Sequence, residues 1–449
     1  MKVTLKSTWE EVQTSFWFVP TLLFTGAVLL SGIFLRIDMQ FSGHIPPDAW
    51  WIYGGGADGA RAVLAAIAGS MITVTSVVFS ITIVVLTLAS GQFGSRMLRN
   101  FMRDTGNQMV LGVFIATFIY SLLILRRIRN TGDFEFIPCL SVTVGVLLAF
   151  ISVGVLIYFI HHVASKIQAE SIINFVYKEL TLAIDRLFPE QIGIFSGNEE
   201  NPESALPEKF AREAQSVRAG ESESNYLQAV EDNRIMELAG RHNLIIRLLN
   251  RPGDFVIKGG VLMEVWSPSP VQIDDNLKLK LSETMILGLH RTITQDAEHG
   301  IHQLVEIAVR ALSPGINDPY TAINCIDRLA AGLSQLVHKQ FPASCRYDEN
   351  NKLRVVVSTT SFGGYLDAAF NQIRQNADSN PAVLIRMLEV ISSIAKQAST
   401  EDQYSVLREH ALMIKNAGIH SINEKRDRDD LCERFMATEK LLNDRLVMK

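Results

Sequence analysis

AVLAAIAGSMITVTSVVFSITIVVLTLASGQFGS, residues 62–95, is a run of 34 residues without one charged side chain. As a helix it would reach about 51 Å, against about 30 Å of bilayer hydrocarbon. Such a segment spans a membrane, and it must either tilt strongly or project into water. Its internal pattern is equally informative. Stepping by three and four residues from Thr73 gives Ser76, Ser80, Ile83, Thr87 and Ser90, with Gly69 and Ala66 behind and Gly94 ahead. All but Ile83 are small or hydroxylated, while the other faces carry Val, Ile, Leu, Phe and Met. A stripe of this kind belongs against protein or water rather than lipid. Two readings stay open: close helix packing through small residues, or a hydroxyl-walled pore in a ring of copies, with Ile83 as its apolar constriction.

Working outward, three further stretches lack charge: Val12–Leu35, Thr105–Leu125 and Phe136–Ile160. Hydrophobic residues make up 48% of the 449-residue chain and charged ones 20%, but those averages hide a split, because everything after His161 reads as an ordinary soluble sequence. The expected architecture is a mainly α integral membrane protein with spans at about 16–35, 61–92, 108–125 and 137–161, forming a domain over residues 1–161. Phe16, Trp17 and Phe18, and again Trp50, Trp51 and Tyr53, suit the membrane–water interface. The first span is followed by Leu35-Arg36-Ile37-Asp38 without a small-residue cleavage site, so it is expected to be retained. Gly54-Gly-Gly-Ala-Asp-Gly59 spells a dinucleotide fingerprint, but no strand precedes it and a membrane helix follows, so the match is discarded.

Four spans put both termini on one side. Lys2, Lys6, Arg96, Arg99, Arg103, Lys166 and Lys178 against Arg36, Arg61, Arg126, Arg127 and Arg129 is a small bias toward termini inside. Arg96, Arg99 and Arg103 follow the hydroxyl stripe at helical spacing and suit lipid phosphates or a pore mouth. The four cysteines, Cys139, Cys325, Cys345 and Cys432, show no paired spacing and suit a reducing compartment. A cytoplasmic C-terminal domain follows from these signs. The net charge of -5 and the lack of a basic stripe argue against nucleic acid as a partner.

The soluble part is expected to be α+β. Residues 162–224 supply a connecting helix and a polar linker. Residues 225–270 are β-rich, and residues 271–449 are mostly helical, with helices at 277–312 and 318–340, a strand near 352–359 and a break at Pro381. Within the β-rich part, Arg251-Pro-Gly-Asp-Phe-Val-Ile-Lys-Gly-Gly-Val-Leu-Met-Glu-Val265 spells turn, strand, Gly turn, strand. It looks like the hairpins of small barrel-sandwich modules. Lys258 lacks the exposed turn of a modified carrier lysine, so the expected role is structural or ligand-sensing. His299 and His302 share a helix face with Glu298 and Glu306 nearby, and His290 lies upstream. No third metal ligand is fixed by spacing, and solvated helix positions account for them.

Residues 294–322 are the densest segment. Ile301, Leu304, Val305, Ala308 and Leu312 form one apolar helix face. Ser313-Pro314-Gly315 ends that helix, and Asn317 or Asp318 caps the next, with Pro319 in its first turn. A capped helix–turn–helix corner explains this spelling. A polar site explains it too, with Asp296, Arg310, Ser313, Asn317, Asp318 and Thr321 meeting a ligand or a neighbouring subunit. The string Ala311–Ala322, the run Ser70–Gly94 ending Ala-Ser-Gly-Gln-Phe-Gly, and Arg251–Val256 resemble the bacterial domain of unknown function 2254 family. That resemblance covers essentially the whole chain. It implies a multi-pass inner-membrane protein with a cytoplasmic C-terminal region, and it brings no activity. Asn225, where a Gly would be expected, departs from it.

The leading expectation is therefore a homo-oligomeric, channel-like protein with the second span on the axis and the C-terminal domain assembling or gating it. The alternative is a non-conducting membrane-anchored sensor or scaffold that binds a ligand or protein. Membrane lipid, further copies of the chain, and an ion or small molecule are the partners these readings admit. No cofactor or metal is implied. An enzyme fits worst, since no Walker loop, no Gly-x-Ser-x-Gly and no His-Glu-x-x-His occurs.

Overall fold

The computed structural model describes residues 17–41, 51–93, 104–131, 134–166, 168–188, 204–220, 223–268, 273–377 and 380–447. The chain forms two compact units, Met1–Ser171 and Ile172–Lys449.

The first unit holds helices α1 (Phe18–Phe41), α2 (Ala57–Phe93) and α3 (Thr105–Leu125), a short hairpin of β1 (Arg129–Thr131) and β2 (Phe134–Phe136), and helix α4 (Cys139–Lys166). All four helices are long and apolar enough to cross a membrane. Helix α3 is the most enclosed: Val110, Phe114, Tyr120 and Ile124 are buried among the other three. Gly112 lets α1 approach it at Pro20 and Leu23, where a side chain would not fit. Helix α2 packs through Leu64, Ala68, Met71, Val78, Thr82 and Val85, a row at helical spacing.

The first span runs six residues beyond its expected end at Leu35. Arg36 and Asp38 read as a stop, but Asp38 is buried and works as a staple. Its carboxylate accepts from the backbone N–H of Leu140 (3.0 Å) and Ser141 (2.9 Å) and from the Ser141 hydroxyl (2.5 Å). A carboxylate on the open amino end of α4 meets both its unpaired N–H groups and its dipole. The second span begins earlier than expected, at Ala57, with Arg61 donating to the Ile128 carbonyl at 3.2 Å. Asp104 caps α3 through Gly106 N–H (2.9 Å) and also meets His162 Nε2 of α4 at 2.7 Å. Arg96, Arg99 and Arg103 lie outside the described residues.

The second unit takes in α5 (Ala169–Leu187) from Ile172 on, followed by α6 (Phe210–Glu213), β3 (Gln215–Arg218), β4 (Asn225–Val230), α7 (Asp232–Arg241), β5 (Ile245–Leu248), β6 (Phe255–Val256) and β7 (Val261–Trp266). Then come α8 (Asp275–Ser282), β8 (Met285–Gly288), α9 (Ala297–Ala311), α10 (Pro319–Leu336), β9 (Cys345–Tyr347) and β10 (Leu353–Val357). Helices α11 (Phe362–Asn376), α12 (Pro381–Ala395), α13 (Glu401–Ser421) and α14 (Lys425–Val447) close it. The strands make a five-stranded sheet, β3-β7-β5-β10-β9, and a three-stranded one, β6-β4-β8.

Two expectations change here. The β-rich segment does not close into one small barrel-sandwich: β5 and β7 join the larger sheet, β4 and β6 the smaller, and α7 lies between them in sequence. The helix expected over 277–312 is interrupted by β8 and an irregular stretch before α9. Met285–Gly288 pairs with β4, and that sheet contact overrides the helical propensity of its neighbours. The helices pack around a continuous apolar interior. Leu180 of α5 sits against Gly300 of α9 and Gly332 of α10, where a side chain on either glycine would press on it. Leu180 is 1% exposed, and burying such a side chain contributes roughly 1.5–3 kcal/mol.

Candidate functional site

Strands β5 and β10 are parallel neighbours, with Val355 opposite Ile246 and Val357 opposite Leu248. Their carboxyl ends therefore lie side by side, and the residues that follow them, Asn250–Pro252 and Ser358–Thr360, open onto one cleft of about 1180 Å³. Ligands recur at the carboxyl ends of parallel strands because chain reversals there leave a crevice lined by loops. The amino end of α9, the end of α5, and β9 with the loop before it complete the walls, through Asp296, Glu298, Arg186, Phe188, Phe341 and Arg346.

The loop after β5 owes its shape to Arg251-Pro-Gly-Asp254. Asp254 accepts from the Arg251 N–H at 2.9 Å, and Gly253 takes φ +100°, a conformation that side chains disfavour. A side chain on Gly253 would also run into the Asp296 carboxylate and the Arg291 guanidinium. Asp296 is the cap of α9, accepting from the His299 N–H at 3.0 Å, and it takes a forked pair from Arg291 Nε (2.9 Å) and Nη2 (2.7 Å). Burial nevertheless pushes its carboxyl above the usual range, outweighing the pull of Arg291.

From there a polar chain passes behind the cleft wall through Arg291 and His302 and returns to the lining at Glu298. Arg291 Nη1 reaches His302 Nδ1 at 3.5 Å, and His302 Nε2 lies 3.6 Å from Glu298. Glu298 meets Arg251 at 3.2 Å, and Arg251 donates to the Thr360 hydroxyl. Tyr365, hydrogen-bonded to Thr360, is pushed up to about 12, chiefly by burial and then by Asp296 and Glu298. On the other wall Arg346 holds Asp232 at 2.8 Å. Gln295 pins the carboxyl end of β4, accepting from Val230 N–H (2.7 Å) and donating to its carbonyl (3.0 Å).

Of the residues expected to meet here, only Asp296 lines the cleft. Arg310, Ser313, Asn317, Asp318 and Thr321 lie at the far end of α9, about 21 Å along its axis. There they build the capped corner. Ser313 Oγ donates to the Arg310 carbonyl (2.7 Å), Asn317 takes φ +48°, and Asp318 accepts from Thr321 N–H (3.1 Å) and Oγ1 (2.6 Å). Arg310 pairs with Glu306 at 3.2 Å. Of the histidines, His299 is 3% exposed and so is no solvated helix position, His302 keeps a third of its side chain in solvent while contacting Arg291 and Glu298, and His290 is exposed just ahead of α9.

Sequence reading passed over Arg291, Arg346, Thr360, Phe341 and Tyr365, and took Arg251 only as part of a turn. A usable signal was present for two of the loops: Ser358-Thr-Thr-Ser361 directly follows a strand, as Arg251-Pro-Gly-Asp254 follows another. On α2, Thr73, Ser76, Ser80, Ile83 and Thr87 are exposed on the single chain. Thr73, Ser76 and Thr87 each donate to the carbonyl four residues back, at 2.9 Å.

The profile of a family described as "Predicted membrane protein (DUF2254)" matches residues 13–393, which takes in the four apolar helices and every residue lining the cleft. "Uncharacterized protein Rv1290c" of Mycobacterium tuberculosis (strain ATCC 25618 / H37Rv) is 33% identical over 427 residues, covering 94% of this chain and 80% of that protein. "Uncharacterized protein Mb1321c" of Mycobacterium bovis is similar to the same degree, 33% over 427 residues. No solved structure matches.

Proposed function

The chain belongs to this family of predicted membrane proteins, and from that premise we propose that it is a membrane-anchored ligand-binding protein whose second unit takes a small polar molecule in the cleft. One observation carries the reading: two loops at the carboxyl ends of parallel strands, a helix cap and Arg251, Arg346 and Glu298 converge on one cavity of about 1180 Å³. The reading places this unit on the cytoplasmic side of a bacterial inner membrane, supported by the small Lys and Arg bias and the unpaired spacing of the cysteines. To test it, protein purified from its membrane is heat-denatured and the small molecules released are identified by mass spectrometry. Thr359→Trp, which fills the cleft, should release none. Equal release from both proteins, or none from the native one after incubation with a metabolite extract, sinks the reading.

A second reading is favoured by α2. Its stripe lies roughly 140° around the helix from the row packed into the bundle, so a second copy of the chain is its natural cover. We infer homo-oligomers joined there, and in the stronger form a conducting axis lined by Thr73, Ser76, Ser80, Ile83, Thr87 and Ser90. Liposome flux through a verified oligomer, and its block by Ser80→Trp and Ile83→Trp, is the expected result. A verified oligomer without conductance under any ionic condition removes the channel.

A further inference from the structure

We propose that the cleft accepts a nucleotide, its ring stacked on Phe341 and its phosphate held at Arg251 and Thr360. This rests on the cleft being a ligand site and specifies what occupies it. Phe341 belongs to the loop between α10 and β9 and is half-buried. Phe188 meets its ring edge-on at 5.3 Å, and Tyr365 lies tilted against it at 6.1 Å. Both supporting rings are buried, at 7% and 8% exposure. Phe341 is thus a propped aromatic plane on the wall of a cavity lined by apolar and polar groups together, the arrangement that stacks a base whatever its identity.

The same ring leads directly to the charged part of the cleft. Tyr365 is hydrogen-bonded to Thr360, and Thr360 accepts from Arg251. Arg251 contacts Glu298 through Nη2, and a guanidinium offers five N–H donors, enough to hold a phosphate beside that pair. Ser358 and Thr359 add hydroxyls from the loop after β10. The carboxylates Glu298 and Asp232 face the same space, each already held by an arginine. They accept from sugar hydroxyls and oppose a bare phosphate. The cleft therefore favours a molecule that combines ring, hydroxyls and phosphate over any one of those parts.

The full chain is placed in phosphatidylcholine nanodiscs and titrated calorimetrically with AMP, ATP, GMP and UMP, and separately with adenosine and inorganic phosphate. At least one nucleotide is expected to bind, with adenosine and inorganic phosphate each weaker by about tenfold or more. Phe341→Ala should weaken the nucleotide about tenfold and leave inorganic phosphate unchanged, while Phe341→Trp restores it. Arg251→Gln should remove the advantage of nucleotide over nucleoside, with partial rescue by Arg251→Lys. An unchanged melting temperature certifies that each variant is folded. No nucleotide binding, in a chain that releases some other compound on heating, overturns the nucleotide and leaves the ligand site. No binding and no release overturn both. Nucleotide binding that survives Phe341→Ala and Arg251→Gln unchanged overturns this placement.

Discussion

The two units satisfy their polar groups over very different distances. In the membrane unit Thr75, Thr82, Thr117 and Ser152 each donate to a carbonyl four residues back on their own helix. In the second unit the groups around the cleft reach partners far along the chain. Arg186 finds the Ile293 carbonyl 107 residues away, Arg251 finds Thr360 at 109, and Arg346 finds Asp232 at 114. A bilayer offers no water to an unpaired group, so short-range satisfaction is the safer solution there. A cavity open to water can instead be built from loops that meet only after folding. The membrane unit has long reaches of its own, from Arg61 to Ile128 at 67 residues, His162 to Asp104 at 58 and Tyr53 to Thr143 at 90, and the longest among the described residues is that of Asp38, whose donors lie 102 and 103 residues on.

Asp38, with the longest reach, should give the largest effect. Asp38→Leu strips three donors of their acceptor and is expected to cost about 3–4 kcal/mol, read as a lowered unfolding midpoint in detergent, with Asp38→Asn recovering part. A midpoint within a degree of the native value would mean that this longest reach adds nothing to the stability of the membrane unit. Next, Arg291→Met leaves the buried Asp296 carboxylate without its guanidinium, at about 2–3 kcal/mol. Adding Asp296→Asn should recover part of that loss, and a double variant as unstable as the sum of its parts would show that the pair does not couple.

A third test uses pH. Burial holds His410 below its usual value, against the opposing pull of Asp367. The unfolded chain therefore takes up the proton first, and stability present above about pH 6.5 is lost as pH falls. Denaturant titrations should show this acid loss in the native chain and a smaller one in His410→Gln; identical profiles would remove His410 from the account. The smallest effect is expected on α2. Ser76→Ala and Thr87→Val remove hydroxyls bonded to their own helix, so each should change stability by less than about 0.6 kcal/mol. A larger loss, or a change of oligomeric state by light scattering, would show these hydroxyls bonded to another copy and erase the contrast between the units.

The same contrast explains what could be read in advance. Four spans were visible because a helix in lipid is announced by its own residues. Asp318 and Pro319 were visible because a cap is a local event, and the structure places them at the start of α10. The end of α1 was misread since the donors that neutralise Asp38 belong to α4. The cleft was invisible for the same reason. Asp296 was singled out, but Arg291, Tyr365 and Thr360 acquire meaning only when β5 and β10 lie side by side. The capped corner at Asn317 drew attention instead, because its turn chemistry is dense within ten residues, whereas density along the chain says nothing of neighbours across a sheet.

Helix α5 gives the molecule a mechanical property. Its 19 residues make a rod about 28 Å long. At one end Arg186 and, just beyond the helix, Phe188 border the cleft, and in the middle Leu180 is keyed into two glycines. A load applied at Phe188 is thus borne along a stiff rod and handed, at Leu180, to the helices α9 and α10 of the same unit.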